Sequence, residues 1–258
     1  MSPEADHPHG ADSAGVPWEG RSFQENPYAG DDGTADPALA AALAAFRAGE
    51  GDQVAVVDAY RAARLLIPLI AEKGDEGVGP TGLVVDKTQE LSIVTVAAPD
   101  GRRVLPVFSS VEALRAWDPS ARPVPAEGIR TALAAVADET DLIVVDPGSE
   151  TEFVLRRPAV WAVGRGEPLE PAFASPDVFL GLQESISSEL AVLDLRVEPG
   201  DPSARGRGPE LIVHLDLTQG LGQAELDAVL QRLARRWAAD DRVATLVDSL
   251  TVRLHRSS

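Results

Sequence analysis

The sequence of 258 residues contains no cysteine. This absence excludes disulfide bonds, thiolate catalysis and metal sites built on cysteine. No apolar run approaches the ~20 residues that a membrane-spanning helix requires. The first ten residues are acidic and polar, so we expect neither a secretory signal nor a transit peptide and predict a cytoplasmic protein.

Basic side chains are scarce, with 23 lysines and arginines against 41 aspartates and glutamates and a net charge of −18. Nucleic acids and anionic membranes bind basic surfaces. We therefore predict no nucleic-acid partner and no membrane partner. A protein partner or self-association stays open, because an acidic surface is compatible with solubility and with a basic partner alike.

Motifs that carry catalysis are also missing. There is no G-x-S-x-G, Walker A, H-E-x-x-H or EF-hand pattern, and neither aspartates nor histidines cluster as a catalytic set. Gly77, Gly79 and Gly82 have the spacing of a dinucleotide fingerprint, but Pro80 interrupts it and a charged loop precedes it, so we interpret the segment as a loop. We predict a protein that is not an enzyme and that has no cofactor and no bound metal.

The hydrophobic patterns predict a mixed α/β (α+β) fold in two domains. We expect a flexible N-terminal arm over residues 1–35, a mixed-sheet α/β domain over residues 36–165 and a smaller α/β domain over residues 175–258. A segment rich in glycine and proline separates the two domains. The smaller domain has the predicted order α-β-β-α-β. Three aromatic residues favour docking of the arm on the first domain: Trp18, Phe23 and Tyr28.

Within the first domain, proline guides several of the expectations. A strand over residues 64–69 contains Pro68, which predicts a position near a sheet edge or a bulge. Residues 121–128 (ARPVPAEG) have the composition of a connector. The helix that follows is expected to bury one apolar stripe, formed by Ile129, Leu133 and Val136.

The centre of the first domain is a strand that runs directly into a helix. Residues 103–108 have a strand pattern, and Ser109 with Glu112 three positions later predicts the capping box that opens the helix. Phe108 and Trp117 are expected in the core. Such a corner is rigid, which makes it a suitable place for a site.

A small-anion site is one hypothesis for this corner. Exposed amides at a helix start can bind an anion, so Ser109 and Ser110, with Lys87 and Thr88, form a candidate site for a small anion or an amino-acid-type ligand. The alternative is that the serines only cap the helix and that Lys87 is a solvated turn residue.

The strands of the second domain alternate between apolar and polar residues. Leu193, Leu195 and Val197 are expected to face the two helices, which leaves the opposite sheet face polar and open. His214 and Asp216 could also ligate a metal, but no third ligand lies nearby in the sequence. We predict a partner surface on the open face, formed by Asp194, Arg196, His214, Asp216, Thr251, Arg253 and His255.

Several motifs together resemble a known family. The motifs are LPVFSS at residues 105–110 with Leu114 and Trp117, Asp86-Lys87-Thr88, Trp18-x-Gly20-Arg21, the segment from Asp31 to Pro37, Arg122-Pro123-Val124 and the strand over residues 142–147. The chain is similar to the actinobacterial type of the SseB family, named for enhanced serine sensitivity, and not to the type III secretion translocon subunit of the same name. The resemblance implies an N-terminal and a C-terminal α/β domain and no established catalytic activity. We therefore predict an interaction or regulatory protein, with the small-ligand module as the alternative.

Overall fold

A computed structural model describes residues 28–71, 77–78, 84–85, 91–93, 95–97 and 101–256. Five residues named in the sequence analysis lie outside the described residues: Lys87, Thr88, Trp18, Phe23 and Gly79. The predictions that involve them stay predictions. Within these ranges, every helix is too short or too polar to span a bilayer.

The chain divides into two compact units, Met1–Asp32 and Gly33–Ser258. The second unit contains all the helices and strands of the described residues. The boundaries of the two predicted domains inside it stay a prediction. The helices are α1 (Pro37–Ala48), α2 (Gln53–Ala62), α3 (Val111–Trp117), α4 (Gly128–Ala137), α5 (Arg157–Arg165), α6 (Pro176–Ile186), α7 (Gln223–Ala239) and α8 (Asp241–Leu246). The strands are β1 (Arg64–Ala71), β2 (Gly77–Val78), β3 (Val84–Val85), β4 (Leu91–Ile93), β5 (Val96–Ala97), β6 (Arg103–Val107), β7 (Arg122–Glu127), β8 (Leu142–Val145), β9 (Phe153–Leu155), β10 (Val192–Pro199), β11 (Leu211–Leu217) and β12 (Leu250–Arg256). The predicted α+β class is therefore confirmed.

A four-stranded sheet with the order β5-β6-β8-β9 lies at the centre of the larger core. Strands β6 and β8 are parallel, while β5 and β9 pair antiparallel at the two edges. The turn-forming residues Pro99-Asp100-Gly101 predict a hairpin into the central strand, and the antiparallel pairing of Val96 with Val104 confirms it. Helices α1, α2, α4 and α5 contribute to the same core, which includes Leu39, Tyr60 and Phe153.

A three-stranded sheet with the order β4-β1-β7 corrects two predictions. The predicted connector forms strand β7, which pairs antiparallel with β1 over six positions. Strand β1 is therefore central and not an edge strand. Pro68 fits there because it lies opposite Pro123 on one side, and on the other side β4 pairs with β1 only from Leu69 onward. Neither neighbouring strand needs a hydrogen bond from the amide that Pro68 lacks, so the sheet loses no backbone hydrogen bond there.

Helix α4 buries a face that shares only the half-buried Ile129 with the predicted stripe. Leu133 and Val136 are 51% and 43% exposed, whereas Thr131, Ala132 and Ala135 are buried. The cause is a close approach to α2: a Cβ atom on Gly128 would lie 2.0 Å from the carbonyl oxygen of Tyr60. The hydroxyl groups of Thr131 and Tyr60 are 2.5 Å apart. Small residues face the neighbouring helix because a larger stripe would not fit.

The third sheet, with the order β10-β11-β12, forms a separate core with α6, α7 and α8. Its pairs are antiparallel between β10 and β11 and parallel between β11 and β12. The extra helix α8 makes the order α-β-β-α-α-β. A bulge between Val192 and Asp194 turns Leu193 outward, where it is 55% exposed, so its predicted inward position is wrong.

The sequence predicts a buried stripe on α6 formed by Phe179, Leu182, Ile186 and Leu190, of which only Leu182 and Ile186 pack on the core. Val178 and Leu182 are buried, whereas Phe179 is 41% exposed and Leu190, which lies beyond the end of the helix, is 95% exposed. Ser175 followed by Pro176 predicts a helix start, and this prediction is confirmed: the Ser175 hydroxyl accepts a hydrogen bond from the Val178 amide, and Pro176 occupies the first turn.

Candidate functional site

Ser109 lies in the interior at the end of the central strand. Its amide and its hydroxyl donate to the two carboxylate oxygens of Asp146, at 2.8 and 2.7 Å. The Thr151 hydroxyl donates to the same carboxylate at 3.0 Å. Asp146 is 1% exposed and has a positive φ of 48°, so three hydrogen bonds hold a buried charge in a sparsely populated backbone conformation. The arrangement fixes the corner between β6 and the loop after β8.

Ser110, and not Ser109, caps helix α3. Its hydroxyl accepts a hydrogen bond from the Ala113 amide at 3.1 Å. The predicted capping box from Ser109 to Glu112 is therefore wrong. The reason is that the Ser109 hydroxyl is used by Asp146, so the helix begins one residue later.

The helix start has few free donors for an anion. The Val111 amide donates to the carbonyl oxygen of Gly33 at 2.9 Å, and α3 has only seven residues. Phe108 is fully buried, and its ring centroid is 5.2 Å from that of the half-buried Trp117. The structure thus places Ser109 and Ser110 at the corner, while Lys87 and Thr88 lie outside the described residues. Their role in ligand binding stays a prediction.

The predicted partner residues of the second domain lie together on one face of the β10-β11-β12 sheet. Register places them in three rows across the strands. The first row is Asp194, Asp216 and His255; the second is Arg196, His214 and Arg253; the third is Glu198, Ile212 and Thr251. We call this surface the polar sheet face. Its rows alternate in charge, from acidic to basic to acidic.

The ion pairs on the polar sheet face are solvent-exposed. Arg196 lies 3.4 Å from Asp216, with side chains 58% and 30% exposed. Arg253 lies 3.1 Å from Glu198, with side chains 58% and 45% exposed. Pairs in such surroundings contribute about 0–1 kcal/mol to stability. These charges are therefore available for other contacts.

Two histidines stack on the polar sheet face, His214 on the central strand and His255 on the edge strand β12. Nδ1 of His214 lies 2.7 Å from Nε2 of His255, and the ring planes differ by 23°. Such a bond requires that one of the facing nitrogens carries no proton. Nε2 of His214 also lies 3.0 Å from the Glu198 carboxylate, without the alignment of a hydrogen bond. No group of three or more histidine, aspartate and glutamate side chains in the described ranges could hold a metal ion.

A buried ionic network escaped the sequence analysis. Arg156, whose side chain is 8% exposed, donates to Asp201 at 2.8 Å and to Asp248 at 3.2 Å. Arg102 also binds Asp248, at 2.9 Å. These partners are far apart in sequence, so no local spacing reveals them. The available signal is the pair of adjacent arginines, Arg156 and Arg157, directly after the buried strand β9.

Glu210 belongs to the same network. One carboxylate oxygen accepts a hydrogen bond from the Asp248 amide at 2.6 Å. Burial, with a smaller contribution from the nearby Asp248 carboxylate, raises the pKa of Glu210 to about 7 against the opposing effects of the Asp248 amide, Arg156 and Arg157. A carboxyl group with such a pKa changes its charge near neutral pH.

A family model supports part of the resemblance. Residues 39–162, a little under half of the chain, match the model of the SseB protein N-terminal domain. The matched segment runs from α1 into α5 and includes Ser109, Ser110 and Asp146. It ends before the polar sheet face and before Glu210. No curated protein matches the chain.

Proposed function

We propose that the whole chain is a cytoplasmic member of the SseB family, of the actinobacterial type, and that it acts by binding protein rather than by catalysis. The match over residues 39–162 supports the family assignment. The partner surface in this proposal is the polar sheet face, and its first partner is a second copy of the chain.

The alternating rows of charge carry the proposal. Two residues along a strand cover about 6.6 Å, so the acidic row at Asp194 and Asp216 lies close to the basic row at Arg196 and Arg253. In a dimer whose two-fold axis runs along the boundary between these two rows, the acidic row of each copy would lie opposite the basic row of the other. A surface of this kind is self-complementary, as a two-fold interface requires.

The rest of the molecule favours this face over other surfaces. With a net charge of −18, two copies repel each other in most orientations. The polar sheet face offers two exposed arginines and, at its edge, the exposed Leu193 for apolar contact. Charge complementarity of this sort sets orientation and makes association sensitive to salt.

Sedimentation equilibrium of the full chain tests the proposal. We expect a concentration-dependent dimer at low salt that weakens at high salt. The double variant Arg196→Glu with Arg253→Glu should stay monomeric, because its face is acidic throughout.

A matched control changes the same charge elsewhere. Arg115 and Arg235 are exposed on α3 and α7, away from the polar sheet face. The double variant Arg115→Glu with Arg235→Glu has the same net charge as the first double variant. Any weakening of its dimer relative to the wild type therefore measures the effect of net charge alone. A wild type that is monomeric at every concentration contradicts self-association, and equal effects of the two double variants contradict the assignment of the face.

A further inference from the structure

A pocket of about 230 Å³ in the second unit is lined by the larger core and by residues that flank the smaller one, namely Phe173, Pro199 and Glu210. Four side chains of the larger core region give it apolar walls: Phe46, Val57, Phe153 and Leu169. We call it the inter-core pocket. A cavity of ~150 Å³ accommodates benzene in another protein, so this one has room for a small ring with a short substituent.

Charged side chains line one part of the inter-core pocket, namely Asp52, Arg156, Asp201 and Glu210. Most of their polar atoms are already engaged. Both terminal nitrogens of Arg156 donate to protein acceptors, and both oxygens of Asp201 accept hydrogen bonds. Glu210 differs: one oxygen accepts from the Asp248 amide, and the other accepts from no residue in the described part of the chain.

We propose that the inter-core pocket binds a small organic amine, with its apolar body between Phe46, Val57, Phe153 and Leu169 and its ammonium group on Glu210. This is a binding site separate from the polar sheet face and independent of the proposed self-association.

The charge distribution selects a cation over an anion. Three carboxylates line the inter-core pocket against one guanidinium, and that guanidinium is paired with Asp201 and Asp248. The start of α2, which also lines the pocket, is capped by the Asp52 side chain at the Ala55 amide. The carboxylates would repel an anion. The terminal nitrogens of Arg156 would offer it no free N–H donor.

The state of Glu210 agrees with this choice. Its pKa is raised to about 7, chiefly by burial, so the carboxylate form lacks sufficient stabilisation in the free protein. An ammonium group on its free oxygen would supply the missing charge and form a charge-assisted hydrogen bond.

Isothermal titration calorimetry with three probes of similar shape tests the proposal on the full chain. The probes are benzylamine, benzyl alcohol and benzoate, at about pH 8 so that Glu210 is ionised. We expect benzylamine to bind at least about tenfold more tightly than benzyl alcohol. Benzoate should not bind.

Two variants identify the groups responsible. Glu210→Gln keeps an acceptor for the Asp248 amide but removes the charge, so it should weaken benzylamine at least about tenfold and leave benzyl alcohol unchanged. Ala159→Leu should fill the inter-core pocket from α5 and remove the binding of both probes. Binding that survives Ala159→Leu, an equal affinity of the two probes, a preference for benzoate or the absence of any binding would each overturn the proposal.

Discussion

Two sets of arginine–carboxylate pairs in the molecule lie in contrasting surroundings. In the buried ionic network, the side chains of Arg156, Asp201 and Asp248 are 8%, 4% and 6% exposed. On the polar sheet face, the paired side chains are 30–58% exposed. The residue types and the distances are similar, so burial is the main difference between the two sets.

This difference decides what each set can do. A buried charge must keep its partners, because an unpaired charge in the interior is costly. The buried ionic network therefore holds parts of the chain together that are far apart in sequence. An exposed charge loses little when its partner changes. The polar sheet face can thus exchange its internal pairs for pairs with another molecule.

The largest expected effect is the loss of the Arg156 side chain. Arg156→Ala leaves Asp201 and Asp248 with fewer partners in the interior, and we expect a loss of about 3–5 kcal/mol in the free energy of unfolding. Chemical denaturation measures it. Arg196→Ala, the matched change on the polar sheet face, should cost less than about 1 kcal/mol. Similar losses in the two variants would break the comparison.

Glu210 should make the stability depend on pH. Its pKa is raised from 4.5 to about 7 by folding, so between these values the native state holds a proton that the unfolded chain has lost. The free energy of unfolding therefore falls as the pH rises through this window, by an amount on the order of 3 kcal/mol.

Replacement of Glu210 isolates this contribution. The free energy of unfolding of Glu210→Gln should equal that of the wild type near the lower end of this pH window and exceed it above the upper end. Denaturation curves at a series of pH values measure the difference. Glu198→Gln, at an exposed position, serves as the control and should show no such divergence. Parallel pH profiles for the wild type and Glu210→Gln would show that burial does not destabilise the charged form.

The two adjacent serines repeat the contrast on a smaller scale. Ser109→Ala removes a hydrogen bond to the buried Asp146, which should cost about 1.5–3 kcal/mol. Ser110→Ala removes only the cap of α3, which should cost about 1 kcal/mol. Thermal or chemical denaturation ranks the two variants. The reverse order would mean that Ser109 is not held by Asp146 in solution.

The smallest effect on stability is expected on the polar sheet face. Arg196→Glu with Arg253→Glu should change the free energy of unfolding by no more than about 0.5 kcal/mol per site, because both side chains are exposed. Chemical denaturation at high salt, where the chain is monomeric, measures this free energy. A large loss would mean that these arginines serve the fold rather than a partner.

Local signals in the sequence predicted the secondary structure wherever caps and patterns agreed. The pairs Asp36-Pro37 and Ser175-Pro176 predict helix starts, and α1 and α6 begin there; the apolar run at residues 142–145 forms the buried strand β8. The errors occurred where tertiary contacts prevail over local pattern. Residues 122–127 become a strand because β1 offers them a partner. Helix α4 buries small residues because Tyr60 lies against Gly128.

The candidate sites divide in the same way. Period-two alternation was enough to predict the polar sheet face, since cross-strand neighbours follow from the pattern of each strand. It failed at Leu193, where a bulge shifts the register. The buried ionic network and the inter-core pocket were not predictable, because Arg156, Asp201 and Glu210 meet only after the chain has folded. A single sequence contains no distance information between such positions.

A charge-exchange experiment tests the central claim most directly. Asp194→Arg with Asp216→Arg makes the polar sheet face basic, while Arg196→Glu with Arg253→Glu makes it acidic. Each double variant alone should be monomeric in sedimentation equilibrium at low salt, and an equimolar mixture should form a dimer, because each acidic row then faces a basic row. A mixture that stays monomeric while the wild type dimerises would contradict the claim that the polar sheet face binds a second copy.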